Sequence, residues 1–382
     1  MKILMLTRYG RLGASSRIRS YQYVPYLEKH GVIVDIEPLF DDDYIHNLYR
    51  IRQQPLKQET GGSSYHSQSD VPVSIKEKSV IKILLSYAQR LKRLCGSSKY
   101  DLLWIEKELF PWLPAFAETI LSAAGIPYVI DIDDAIFHKY DHHKSAAVRR
   151  LLGSKMRSVM RNARVVIAGN PYLEHYARVS GAGSVEIIPT VVDLSRYPPW
   201  DIKKEETAAC KIGWIGSPST VWYLNSVRNV LQEISHRFTV ELLNVGGGAN
   251  VDLGDIATRM MDWSEESEVR DIQSFDIGIM PLPDSPYERG KCGYKLIQYM
   301  ACQLPVVASP VGVNTLIVEP GINGFLAQEP GDWFNALQTL IGNRKMRAAM
   351  GVEGRRKVEK EYCLGVWGDR LFSILNDAGR CR

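Results

Sequence analysis

Apolar runs of strand length alternate with longer segments of helical periodicity along the whole chain. Residues 2–7 (Lys-Ile-Leu-Met-Leu-Thr) form an apolar run, 8–16 a polar loop, and 17–30 a helical pattern closed by Gly31, after which 32–36 reads as a second strand. Further strand-length runs fall at 101–105, 128–132, 165–168 and 184–188. Between them, residues 41–79 are polar and irregular around the Gly-Gly-Ser-Ser at 61–64, long for a connection and read as a mobile functional loop or a disordered segment. In 80–94, Val80, Ile81, Leu84, Leu85, Ala88, Leu91 and Leu94 recur at helical spacing among Lys82, Arg90, Lys92 and Arg93. That segment reads first as a surface helix covering a sheet, with peripheral attachment to an anionic membrane as the alternative.

A run rich in Pro, Asp, Lys and Glu at 198–207 interrupts the pattern, which then starts again. Residues 211–215, 238–243, 276–280, 306–308 and 325–327 have strand character, a helix is expected from about Val221, and helices are expected at 330–341, 345–362 and 366–378. Strand, small-residue loop and helix repeated twice predict two doubly wound α/β units, with ligands at the carboxyl ends of the strands. The boundaries follow as 1–199 for the first domain, 200–362 for the second and 363–382 for a final helix folding back on the first.

Composition narrows the class. The 382 residues are 45% hydrophobic, enough for two ordinary cores, and a net charge of +4 is too small to argue for nucleic acid. The six cysteines show no metal-ligand spacing and read as reduced thiols of a cytoplasmic protein. No window approaches about 18 consecutive apolar residues, and the apolar start at 2–7 is too short for a signal peptide.

Candidate chemistry concentrates between 276 and 308. Gly290 and Gly293 permit close backbone approach to a ligand, Lys291 and Lys295 supply cations, and a helix beginning near Gly293 directs its N-terminal N–H groups at the same spot. These are the parts of a diphosphate site, although an ordinary turn with solvated lysines has the same spacing. Gly216 and Ser217, in the turn after 211–215, are placed to donate to phosphate or to cap a helix, and Gly312, Val313 and Asn314 form a similar loop after 306–308. Trp263 is a candidate base-stacking residue or core filler.

In the first half, Gly13 with Arg17 and Arg19 suggests an anion site, whereas the absence of a GxGxxG disfavours a nicotinamide dinucleotide. Asp131, Asp133 and Asp134 at the end of 128–132 have three readings: sugar-hydroxyl acceptor or base, divalent-ion ligand, or helix cap. His138, His142 and His143 do not combine with these aspartates at metal spacing, and no metal is expected.

The block Gly-Tyr-Lys-Leu-Ile-Gln-Tyr-Met-Ala-Cys-Gln-Leu-Pro-Val-Val at 293–307 resembles family 4 glycosyltransferases of the GT-B fold. Gly-Trp-Ile-Gly-Ser-Pro-Ser-Thr at 213–220, the tyrosine-rich 17–26 and Ile-Asp-Ile-Asp-Asp at 130–134 fit one branch of that family. The resemblance covers essentially the whole chain. It implies two Rossmann-like domains facing a central cleft, the first binding the acceptor and the second the nucleotide-sugar donor. It also implies a retaining, metal-independent transfer from a UDP- or GDP-linked sugar to a sugar or lipid-linked acceptor, in cell-surface glycan synthesis, with no cofactor. Contact with the inner membrane face is compatible with that acceptor.

By position, Lys295 would meet the donor diphosphate and Gln298 the nucleotide ribose. The first glutamate of the family's Glu-x7-Glu motif would fall at Gly290; Glu288 lies two residues earlier and is the candidate for that role. Asp133 stands where many members carry histidine, and Gln303 replaces a glycine expected to be left-handed. A nucleotide-sugar 2-epimerase of the same fold and a catalytically silent binding subunit are the alternatives.

Overall fold

The computed structural model describes residues 1–52, 77–199, 209–248 and 251–380, so most of the irregular 41–79 segment and the 198–207 boundary run lie outside the described residues. The described chain divides into two compact units, one running to Thr190 and regained from Trp367 onward, the other spanning Val191–Val366. The division falls before the composition break because Val192 and Tyr197 are buried in the core of the second unit.

The first unit is a six-stranded sheet of β1 (Lys2–Tyr9), β2 (Ile33–Phe40), β3 (Leu102–Glu106), β4 (Tyr128–Ile132), β5 (Val165–Ala168) and β6 (Val185–Ile187), in the order β2-β1-β3-β4-β5-β6. All its pairings are parallel. The second repeats the plan with β7 (Cys210–Ile215), β8 (Val240–Val245), β9 (Thr258–Met261), β10 (Ile277–Met280), β11 (Val306–Ala308) and β12 (Gly324–Leu326), ordered β12-β11-β10-β7-β8-β9 and again parallel. Both are the doubly wound sheets expected from the pattern. Helices cover both faces, which is why central strands such as β3 and β4 are apolar without alternation and buried throughout. Along β7, Ile212 and Trp214 enter the core shared with Trp333 and Leu337, while Ile215 enters the opposite core with Leu296 and Tyr299.

Several elements differ from the sequence expectation. The helix expected at 17–30 is three pieces: Ala14–Arg19, a 3-10 turn at Tyr21–Tyr23, and Val24–Lys29. Pro25 sits in the first turn of the last piece, where its missing N–H costs nothing; further inside a continuous helix it would lose a hydrogen bond and clash. Asp42–Arg52 is helical rather than irregular. Strand β9 was not expected, its residues Thr-Arg-Met-Met being only partly apolar at a sheet edge. The amphipathic helix runs from Glu77 to Cys95, and its apolar stripe does not face the sheet.

Helix Tyr294–Ala301 ends as its glycine-lacking sequence foretold. Gln303 is left-handed at φ 59°, with its N–H donating to Met300 O (2.9 Å) and that of Leu304 to Tyr299 O (3.0 Å). These two bonds are a Schellman cap, whose left-handed position favours glycine. Gln303→Gly is therefore expected to stabilise the protein by about 1 kcal/mol, read as a raised urea midpoint at unchanged slope; a lowered midpoint would refute the strain.

The last helix, Leu364–Arg380, returns to the first unit. Tyr26 donates to Asp369, His30 meets Phe372 at 5.0 Å, and Arg370 pairs with Glu186 at 2.6 Å. No helix among the described residues is long and apolar enough to cross a membrane.

Candidate functional site

In the second unit the chain leaves β7 toward β8 on one side and later returns to β10 on the other. The carboxyl ends of β7 and β10 therefore flank a topological switch point, where an open α/β sheet leaves a crevice for ligands. Glycines bring the surrounding loops together. A Cβ on Gly216 would meet the Trp214 ring at 2.2 Å, and one on Gly246 would meet Gly216 O at 2.5 Å. Ser217 follows, its hydroxyl within 2.7 Å of that of Ser219 and its N–H donating to Thr220 Oγ1 at 3.3 Å. These residues lead into the 3-10 turn Val221–Val227, which stands where the helix start was expected.

After β10 come the short helix Pro286–Arg289 and the turn into Tyr294–Ala301. Gly293 caps that helix with φ 65°, and a Cβ there would lie 2.3 Å from Ile317 Cδ1. Both conformation and space demand glycine. The two lysines flank it: Lys291 Nζ lies 5.2 Å from the Tyr287 ring centroid, and Lys295 Nζ 5.1 Å from that of Trp214, the ring beneath Gly216. The loop after β11 closes on the same turn. Gly312 (φ 54°) would meet Arg289 O at 2.6 Å with a Cβ, Val313 borders Gly293, and buried Asn314 donates to Ser309 O at 3.0 Å. The structure thus gathers Gly216, Ser217, Lys291, Gly293, Lys295 and the 312–314 loop along one edge of this sheet.

Three other expected residues are engaged elsewhere. Glu288 is buried, its carboxylate accepting from Tyr223 (2.7 Å) and Ser285. It braces the loop beneath Lys291, whose ammonium lies 5.7 Å from the Tyr223 ring centroid. Gln298 is buried on the inner face of its helix and donates to the Tyr197 hydroxyl at 3.1 Å. Tyr197 in turn reaches buried Glu268 (3.5 Å), which accepts from the Trp263 indole at 2.8 Å. Gln298 and Trp263 are therefore the ends of one internal hydrogen-bonded chain. Tyr197, Tyr223 and Glu268 carried no local signal in the sequence, being brought in from distant segments.

The switch point of the first unit lies between β1 and β3. Arg19, expected to bind an anion there, is 1% exposed; it grips Asp131 through Nε (2.8 Å) and Nη2 (3.1 Å) and donates to Ile188 O. Arg17 is buried as well, donating to Arg11 O at 3.3 Å. Gly13 serves packing, since a Cβ would meet Tyr9 Cβ at 2.5 Å. The acceptor-side cations expected from sequence are thus internal. What gathers at this edge is Lys107, which the sequence reading passed over. It follows β3 in the left-handed conformation (φ 62°), nearly fully buried. Its ammonium lies 2.8 Å from Asp133, 3.4 Å from Asp134 and 3.2 Å from the Ser15 hydroxyl.

Burial opposes the charge on both sides of this cluster, and the mutual attraction outweighs it. The Asp133 carboxyl is held below its ordinary range by Lys107, and the ammonium well above its own by Asp133 and Asp134. Beside them Glu106 accepts from Ser16 at 2.6 Å, its carboxyl pushed up by burial. A backbone outlier under three charged side chains is the kind of strain that collects at functional positions.

The structure brings His138, Asp141 and His142 together, a grouping the sequence reading did not foresee. His138 Nδ1 meets Asp141 at 2.9 Å and Nε2 meets the Tyr172 hydroxyl at 2.8 Å, so both ring nitrogens are already bonded within the protein.

Two family models match the chain. "Glycosyl transferase 4-like domain" covers residues 63–190 and "Glycosyl transferases group 1" covers 210–343. No curated protein matches in sequence. Among solved structures, sucrose-phosphate synthase from Thermosynechococcus elongatus is similar at TM-score 0.70 and 16% identity, over 99% of this chain and 98% of that one. HepE of Anabaena, crystallised with UDP-glucose, gives TM-score 0.68 and 16% identity over 99% and 100% of the two chains. WaaG, a glycosyltransferase of lipopolysaccharide biosynthesis, gives 0.66 and 12% over 98% and 99%. With one glycosyltransferase model on each sheet and the twin-sheet architecture over its full length, the chain is a glycosyltransferase of the GT-B fold.

Proposed function

We propose that the chain transfers a sugar from a nucleoside-diphosphate sugar to a hydroxyl acceptor with retention of anomeric configuration, without a metal ion or cofactor, in the synthesis of a cell-surface glycan. The observation that carries this reading is the left-handed Gly293 turn between Lys291 and Lys295 at the β7/β10 edge. Breaking the anomeric C–O bond leaves negative charge on the departing diphosphate. Two ammonium groups and a helix N-terminus held in place beforehand stabilise that charge as it forms, usually the largest single contribution to catalysis. Ser217 and the backbone of 312–314 supply further donors. UDP-glucose is the first donor to test, since HepE was crystallised with it.

Asp133 and Asp134, both paired with Lys107, are suited to orient an acceptor hydroxyl. Retention in the absence of an assigned carboxylate nucleophile fits attack on the face the diphosphate leaves, which then takes the acceptor proton.

A thermal-shift series over UDP- and GDP-sugars, followed by product analysis with EDTA present, tests the reading. One donor is expected to raise the melting temperature, because a ligand stabilises the state it binds. Release of nucleoside diphosphate should then depend on an acceptor and persist in EDTA. A nucleotide sugar returned with an altered sugar would indicate an epimerase instead, and saturable binding without turnover a silent subunit.

A further inference from the structure

We propose that the first unit docks on a bilayer carrying anionic lipid headgroups, through the outward apolar stripe of helix Glu77–Cys95 together with the loop that presents Trp112. The inference does not depend on which sugar the enzyme moves.

The helix is attached to its sheet by polar groups. Arg90, 2% exposed, donates to Thr7 O (2.8 Å) and Glu37 O (2.9 Å), and Arg93 approaches Asp35 and Glu37. The apolar face is thereby turned to solvent: Ile81, Leu84 and Leu85 are 58%, 62% and 57% exposed, and Val80 and Leu91 continue the stripe. A soluble helix normally buries that face. Lys82 and Lys92 are exposed on the same helix, and residues 80–95 contain no acid. Apolar stripe and lysines together are the composition of a helix that lies in the headgroup region.

A second apolar element adjoins it. Tyr87, on the flank of the stripe, donates to Pro111 O at 2.5 Å and sets its ring edge against Phe110 at 5.3 Å. The next residue, Trp112, is 47% exposed and held at φ 62° by an N–H bond to the Tyr140 hydroxyl. Tryptophan with one apolar face and a polar N–H is favoured at bilayer interfaces.

Charge identifies the occupant. The Trp112 ring meets His143 at 5.8 Å, and Arg149 donates to His143 O at 2.5 Å. Exposed Lys144, Arg149 and Arg150 thus lie beside the aromatic, within a stretch, 142–173, that holds two lysines and five arginines and no acid. A polyanion in solution would satisfy the arginines but leave Ile81, Leu84 and Leu85 in water. An anionic bilayer satisfies both.

The test is sedimentation of the full chain with vesicles of phosphatidylcholine alone and of phosphatidylcholine with phosphatidylglycerol. Binding is expected to the anionic vesicles and to weaken with salt. The paired changes Leu84→Asp/Leu85→Asp and Arg149→Glu/Arg150→Glu should each lower partitioning by about tenfold or more while leaving the melting temperature in place. The arginine pair is on the surface and carries the test alone should the leucine pair disturb folding. The proposal is overturned by equal binding to neutral vesicles, by variants that partition like the parent, or by a concentration-dependent dimer that Leu84→Asp dissociates, which would show a second copy covering the stripe.

Discussion

Lys295→Ala is expected to lower kcat by about 10²–10³, the usual loss when one prearranged donor to a developing anion is removed. The fold should survive. Lys295 is half-buried, with the Trp214 ring 5.1 Å from its ammonium, a cation–π contact of about 0.5–2 kcal/mol. Melting temperature and turnover are thus predicted to separate, the first moving little and the second by orders of magnitude. Lys295→Arg should recover part of the loss through charge, but not all, because a planar fork replaces a compact ammonium. Turnover of Lys295→Ala within a few-fold of the parent, at saturating donor, would remove this lysine from the diphosphate site.

Lys107→Met should act on stability. The substitution keeps length and apolar stem but strips Asp133 and Asp134 of the cation 2.8 and 3.4 Å away. Removing one partner of a buried ion pair costs about 3–5 kcal/mol, because the other charge stays behind uncompensated. The sign of the pH dependence follows. In the parent, Asp133 has a depressed folded pKa. Its contribution is complete above the unfolded value of about 3.9 and is lost as pH falls through the depressed one. Lys107 has a raised folded pKa. Its contribution is complete below about 10.4 and fades as pH rises through the raised value. Without Lys107, burial is the largest influence left on Asp133, opposed by the Ser15 hydrogen bond and the Arg19 charge. Its pKa should therefore rise, and the variant's deficit should narrow as the carboxyl protonates toward acid. Urea unfolding of both proteins at neutral pH and near pH 4.5 measures this. A deficit that is small, or constant with pH, would show that the cluster is too well hydrated to count as buried.

The donor loop was legible because its parts are neighbours in the chain: Gly293 needs its conformation locally, and Lys291 and Lys295 flank it. The first-unit cluster was not, because Ser15, Lys107 and Asp133 converge only when β1, β3 and β4 are aligned. Residue type alone also misled over Arg19, since an arginine in a loop looks the same in sequence whether it is solvated or gripped by Asp131. The stripe of helix Glu77–Cys95 shows a related limit. Periodicity locates an apolar face but not the direction it points, and here Arg90 turned the polar side inward by capping two sheet carbonyls. Pro25 is a signal that the continuous helix expected at 17–30 passed over: a proline eight residues into a helical pattern marks a break.

The return of Leu364–Arg380 to the first unit bears on how the protein is made. A ribosome delivers Met1–Thr190 long before the helix that completes their packing, at roughly 5–20 residues per second and so on the order of ten seconds or more ahead of it. During that interval the Tyr26 and His30 surface that the helix will cover stands open, while Val191–Val366 already has its whole sheet. The half of the enzyme synthesised first is therefore finished last, when the helix Leu364–Arg380 reaches it.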